Sequence, residues 1–185
     1  MEKTMTAPSR LRTLDLCYCA LFAVLMAVCA WISIPGPVPF TLQTFAVFAA
    51  LVTLGGKRGT LAIGVYLLLG AVGLPVFAGF KGGLGALLGT TGGYILGFLA
   101  AGLLYWLILA HLGDSLPVVI GACAVGMVAC YAFGTAWFVA VYTAQVGPMS
   151  WGGALAACVI PFLPFDAGKI ALGIFLSRKM GRFLK

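Results

Sequence analysis

Acidic residues are scarce in this chain: four Asp and Glu among 185 residues, beside a single histidine, His111. That shortage argues against most hydrolytic and metal-dependent chemistry, which needs clustered carboxylates and imidazoles as bases or ligands. No Gly-x-Ser-x-Gly or His-Glu-x-x-His motif is present, and no Gly-Lys-Ser/Thr phosphate loop. The reading is therefore of a non-enzyme without catalytic residues, metal site, cofactor or ATP site of its own. Charge of either sign is low, at 8%, against 63% hydrophobic residues. With a mean hydropathy of +1.14, there is too little polar surface to cover a soluble domain.

Cysteine is not short, with six, yet none forms a CxxC pair and all fall inside apolar runs. A disulfide framework or a zinc site has no support in that pattern, and buried cysteine acts as a small hydrophobe. The net charge of +7 would suggest nucleic acid in a soluble protein. Its placement points elsewhere. Nine of the eleven basic residues are Lys3, Arg10, Arg12, Lys57, Arg58, Arg178, Lys179, Arg182 and Lys185, at the ends of apolar runs. Basic residues so placed anchor to anionic lipid and mark cytoplasmic segments. The partner they imply is the lipid bilayer, not nucleic acid.

Six apolar runs follow one another. Leu16–Ile34 is 19 residues, longer than a cleavable signal core. Phe40–Leu54 and Thr60–Leu74 have 15 residues each, short for a bilayer unless flanking residues are borrowed. Gly92–His111, Leu116–Gln145 and Gly152–Phe175 complete the set. The expectation is an all-α integral membrane protein of six transmembrane helices forming one domain over 1–185, with 1–14 as a cytoplasmic N-terminal segment. With both termini and the Lys57-Arg58 loop inside, the segments facing outward hold only Lys81 among basic residues. This asymmetry predicts an N-in, C-in topology.

Asp166 and Lys169 stand inside the last run, in Pro161-Phe-Leu-Pro-Phe-Asp-Ala-Gly-Lys169. One charge at the bilayer centre costs about 2.5–3.5 kcal/mol on insertion scales. At i and i+3 the two side chains share a helix face and can pair. Pro164 suits a first helical turn, which would place Asp166 near free backbone N–H groups. An ion pair that only joins helices is one reading. A ligand site is the other: the carboxylate accepts from N–H groups and the ammonium donates to a carbonyl, which together match a small ring carrying both.

Three further features are open between packing and function. The glycine-rich stretch Gly79–Tyr94 suits a lid over a pocket, since membrane-depth backbone must be buried in protein or line a cavity; it also suits a plain loop. Gln43 is a polar residue near the outer end of the second run, placed either to reach a pocket or to bond between helices. Ala23 and Ala27 form a small-xxx-small pair that lets another helix, internal or external, approach closely.

Pro39-Phe-Thr-Leu-Gln-Thr44, Tyr66-Leu-Leu-Leu-Gly-Ala-Val-Gly-Leu-Pro-Val-Phe-Ala-Gly-Phe80, Gly82-Gly-Leu-Gly, Thr91-Gly-Gly-Tyr94 and the Pro161–Lys169 stretch occur in that order. In these pieces, from about Ala20 to Ser177, the chain resembles the BioY family, the biotin-binding S-components of energy-coupling-factor transporters. Thr90 stands where that family usually has proline, and Phe165 where it usually has glycine.

The resemblance implies a six-helix fold with an outward-facing pocket capped by the glycine-rich loop between the third and fourth helices. It implies biotin as ligand, taken up across a bacterial plasma membrane. Asp166 and Lys169 would lie near the ureido ring, with Gln43, Gly82, Gly83, Phe77, Phe80 and Tyr94 around the ligand and Lys81 toward its carboxylate. It further implies a transmembrane coupling subunit, docking at Ala23 and Ala27, and two ATPase subunits. Whether the chain works with these, alone or by self-association stays open at this point. So does an S-component for another vitamin, or a structural subunit that transports nothing.

Overall fold

The computed structural model describes residues 13–36 and 38–180. Residues 1–12 of the expected cytoplasmic segment, with Lys3, Arg10 and Arg12, lie outside the described residues, as do Arg182 and Lys185. The first helix, α1, runs Thr13–Trp31. A short hairpin follows, in which β1 (Ser33–Ile34) pairs antiparallel with β2 (Phe40–Thr41), Ser33 facing Thr41. Pro35 and Pro39 lie in its connection, where a missing N–H costs no ladder bond. Helix α2 (Gln43–Leu54) and helix α3 (Gly56–Ala71) are joined by Gly55 alone. The expected Lys57-Arg58 loop is thereby corrected: both residues sit in the first turn of α3. There Arg58 pairs with Asp15 of α1 at 3.0 Å.

The segment 72–91 is not a bare loop. It carries a 3₁₀ turn, Ala78–Phe80, and a short helix α4, Leu84–Leu88. Then come α5 (Gly92–Leu112), α6 (Leu116–Gln145), α7 (Trp151–Cys158) and α8 (Leu163–Met180). The expected sixth run is two helices, bent by 47° between Cys158 and Leu163. Pro161 causes the break, because it has no N–H to donate and its ring collides with the carbonyl four residues back. Ser150 caps α7, its Oγ accepting from the Gly153 N–H at 3.1 Å.

Among the described residues, α1, α5 and α6 are long and apolar enough to cross a bilayer, and the bent α7–α8 pair makes a fourth candidate. Helices α2 and α3, at 12 and 16 residues, are shorter than a straight crossing needs.

Helices α5 and α6 pack along each other, α3 packs against α1, α2 and α5, and α8 packs on α2. Met26, Phe48, Leu51, Ile63, Tyr66 and Tyr105 are fully or almost fully buried at the centre. Lipid tails are as apolar as these side chains, so close fit rather than escape from water must hold the helices together. Small buried residues serve that fit: Ala46, Ala50, Ala62, Ala101 and Ala122 expose no surface at all. The same is true of the alanines of α1. Ala23 is 1% exposed and Ala27 5%, both within the core. The expectation that this pair is an external docking face is corrected: the chain's own helices occupy it. The open face of α1 carries Leu16, Leu21, Val24 and Val28 instead.

Candidate functional site

Helix α8 begins at Leu163 with Pro164 in its first turn, so Asp166 falls in that turn and Lys169 one turn on. Both are nearly inaccessible, at 4% and 8% exposure. Lys169 Nζ donates to Asp166 Oδ1 at 2.8 Å and to the Thr41 carbonyl at 2.6 Å. It also lies 4.1 Å from the centre of the Phe40 ring, a position that favours a cation. Strand β2, which supplies Phe40 and Thr41, therefore serves as one wall of the charge site. Asp166 Oδ2 accepts a 2.6 Å hydrogen bond from the Tyr131 hydroxyl of α6. Three elements thus meet on one ion pair, and each hydrogen bond made with it is of the strong, charge-assisted kind.

The pair forms part of the lining of a narrow cleft with a cavity volume of about 80 Å³. Ile95, Phe98, Met127 and Phe162 give it apolar sides, while Gln43, Thr44, Thr91, Tyr94 and Tyr131 add polar groups. Tyr94 is held in place, its hydroxyl 2.9 Å from that of Thr135 on α6. Gln43 is the informative one. It lies at the start of α2, is 4% exposed, and its Nε2 meets no hydrogen-bond partner among the described residues. A buried amide donor left unpaired costs about 1–3 kcal/mol. A ligand carbonyl or carboxylate entering the cleft would supply the acceptor.

The segment 72–91 contributes Ala78 and Thr91 to the cleft. It is tied down by aromatic donors from three helices. Trp31 Nε1 donates to the Pro75 carbonyl at 2.8 Å, Tyr66 Oη to Val76 at 3.0 Å, and Trp137 Nε1 to Gly89 at 3.0 Å. Phe80 adopts a left-handed φ of 57° and stacks on Trp31 with centroids 5.1 Å apart. A left-handed backbone is unfavourable for an aromatic residue, so the stack must hold it there.

The remaining expected residues divide. Lys81, Gly82 and Phe77 line not the cleft but an adjoining cavity, which shares Pro39, Ala78, Thr91 and Ile95 with it. Gly82 is confined, since a Cβ there would run into the Leu74 carbonyl, and Gly83 precedes α4 with a φ of 84° that favours glycine. Phe77 is buried edge-on against Tyr66, at 5.5 Å between centroids, and acts as a support. Phe165 turns its bulk outward and packs edge-on against Phe40 at 5.1 Å.

Sequence reasoning missed Tyr131. The one signal was its hydroxyl at the middle of the long apolar run that became α6. It also missed Phe40 and the Thr41 carbonyl as partners of Lys169.

A buried acid, an amine, a hydroxyl and an unpaired amide around one apolar cleft can recognise a neutral ring bearing N–H and C=O groups. Comparison with known proteins bears on which. The model of the BioY family matches residues 1–185. The biotin transporter BioY of Thermotoga maritima is 40% identical over 161 residues, covering 86% of this chain and 91% of its own. The probable biotin transporter BioY of Pyrococcus horikoshii is 38% identical over 162 residues, covering 87% and 92%. Among solved structures, the S-component for biotin from an ECF-type ABC transporter superposes with a TM-score of 0.82 at 25% identity, covering 96% of this chain and 95% of that one.

Proposed function

We propose that this chain, which belongs to the BioY family, captures biotin and carries it across the membrane as the substrate-binding S-component of an energy-coupling-factor transporter. The observation that carries this reading is the cleft itself: a buried Asp166–Lys169 pair facing the same space as the unpaired Gln43 amide. The ureido ring of biotin has two N–H donors and one carbonyl acceptor. The Asp166 carboxylate has lone pairs beyond those used by Lys169 and Tyr131 and accepts from the ring. Gln43 Nε2 donates to the carbonyl. The thioether ring and aliphatic tail lie against Ile95, Phe98, Met127 and Phe162. The tail carboxylate reaches the adjoining cavity, where Lys81 is the cation.

In this reading the protein is a multi-pass protein of the bacterial plasma membrane. Six crossings, counting α2 and α3 as short spans and α7–α8 as a broken one, place both termini in the cytoplasm. The cleft then opens outward under the segment 72–91, which acts as its cap. A coupling subunit and two ATPases supply the energy that this chain does not generate. The coupling subunit meets the open face of α1 formed by Leu16, Leu21, Val24 and Val28.

The test is competition. Membranes containing the protein are loaded with labelled biotin and challenged with unlabelled biotin, thiamine or riboflavin. Displacement by biotin alone is the expected result. Displacement by another vitamin at equal concentration would overturn the identity of the ligand.

A further inference from the structure

We propose that the groove between α6 and α8 holds one acyl chain of an anionic phospholipid, with the lipid phosphate at Arg178. This assignment needs the protein to be in a membrane, but it does not depend on what the cleft binds.

Helix α8 packs on α2 and stands apart from the N-terminal half of α6, which packs on α5 instead. Between α8 and α6 lies a groove with a volume of about 630 Å³. Its walls are Ile120 and Val128 on one side and Ile174 and Phe175 on the other. Ala124 and Ala171 narrow the side chains enough to leave a slot. No water-seeking group interrupts these walls, so the occupant must be apolar along its length. A slot of that kind suits an unbranched chain.

The two ends of the groove fix the occupant further. At one end stand Tyr131 and Asp166, joined by their hydrogen bond. At the other stands Arg178, exposed and followed by Lys179. From Asp166 to Arg178 is twelve residues of helix, about 18 Å at 1.5 Å per residue. That is close to half of the roughly 30 Å hydrocarbon thickness of a bilayer. With its basic end at one headgroup layer, a groove of this length would reach the membrane midplane, the span of a single acyl chain. Among the described residues Arg178 makes no ion pair. Asp114 lines the cavity that Arg178 also borders, and is the carboxylate a lipid phosphate would compete with. A chain seated here would rest its tip against the Tyr131–Asp166 contact and brace the floor of the cleft.

The test uses the purified full chain in detergent, with native mass spectrometry to count retained phospholipids. Ala171→Trp and Val128→Trp each fill the slot from one wall; Leu68→Trp, on an exposed site of α3, is the control. The wild type and the control are expected to retain one phospholipid, and both slot variants to lose it. Arg178→Gln is expected to weaken retention of phosphatidylglycerol about fivefold, the worth of one cation near an anionic lipid surface, with little change for phosphatidylcholine. Equal retention in wild type and both slot variants would overturn the proposal. So would a change from dimer to monomer in the slot variants without loss of lipid, which would make the groove a contact between copies of the chain. Biotin binding by the same samples is scored separately, so failure of either reading leaves the other standing.

Discussion

Tyr131 and Asp166, 35 residues apart, meet through a 2.6 Å hydrogen bond that joins α6 to α8 at the floor of the cleft. The two helices otherwise stand apart along a groove. This bond is the point where α6 touches the charge site, and it fixes the orientation of the carboxylate at the cleft wall. Tyr131→Phe removes the donor and keeps the ring. Hydrogen bonds to charged groups are worth about 1.5–3 kcal/mol, so biotin affinity should fall by at least about tenfold. Titration calorimetry on the purified variant measures it.

The buried pair gives a second prediction. Removing one member of a buried ion pair costs about 3–5 kcal/mol, because the other charge is left alone. Asp166→Asn and Lys169→Met should each lower the melting temperature in detergent. The double variant should recover much of that loss while failing to bind biotin. A double variant that still binds would show that the pair only fastens helices.

Gln43 should behave in the opposite sense. Its unpaired Nε2 is a cost to the empty protein and a donor to the filled one. Gln43→Leu is expected to leave thermal stability unchanged or raised, while weakening biotin about tenfold or more. Paired melting curves with and without biotin check both signs in one experiment.

The tethered segment over the cleft gives a prediction about rates. Trp31 and Trp137 each hold one of its carbonyls. Trp137→Phe frees the Gly89 carbonyl and should loosen the segment without touching the charge site. Biotin dissociation should speed up by about threefold to tenfold, in line with a lost hydrogen bond of about 1 kcal/mol, with association little changed. Stopped-flow displacement of a labelled ligand reads both rates.

The sequence carried much of this architecture and left particular parts hidden. The apolar runs located the helices, and the cost of charge in lipid singled out Asp166 and Lys169 before any geometry was known. The faces were not legible. In a soluble helix, polar residues mark the side that meets water; here α1, α5 and α6 are apolar all round. Nothing in the pattern could therefore tell that Ala23 and Ala27 turn inward while Leu21 and Val24 turn out. The break in the last run was written in Pro161, whose effect depends on whether the helix bends or stops. Tyr131 was hidden for a different reason. A tyrosine is mostly ring, and only the arrival of Asp166 from α8 shows what its hydroxyl is for. Lys81 was placed by its position in the loop, and the fold puts it one cavity away.

The most direct measurement is a calorimetric titration of biotin into the purified wild-type chain and into Asp166→Asn. The account predicts saturable one-to-one binding to the wild type, weakened at least about tenfold in the variant by loss of the charge that holds the ring. Biotin binding of equal strength in both would contradict it, since the buried carboxylate would then have no part in holding the ligand.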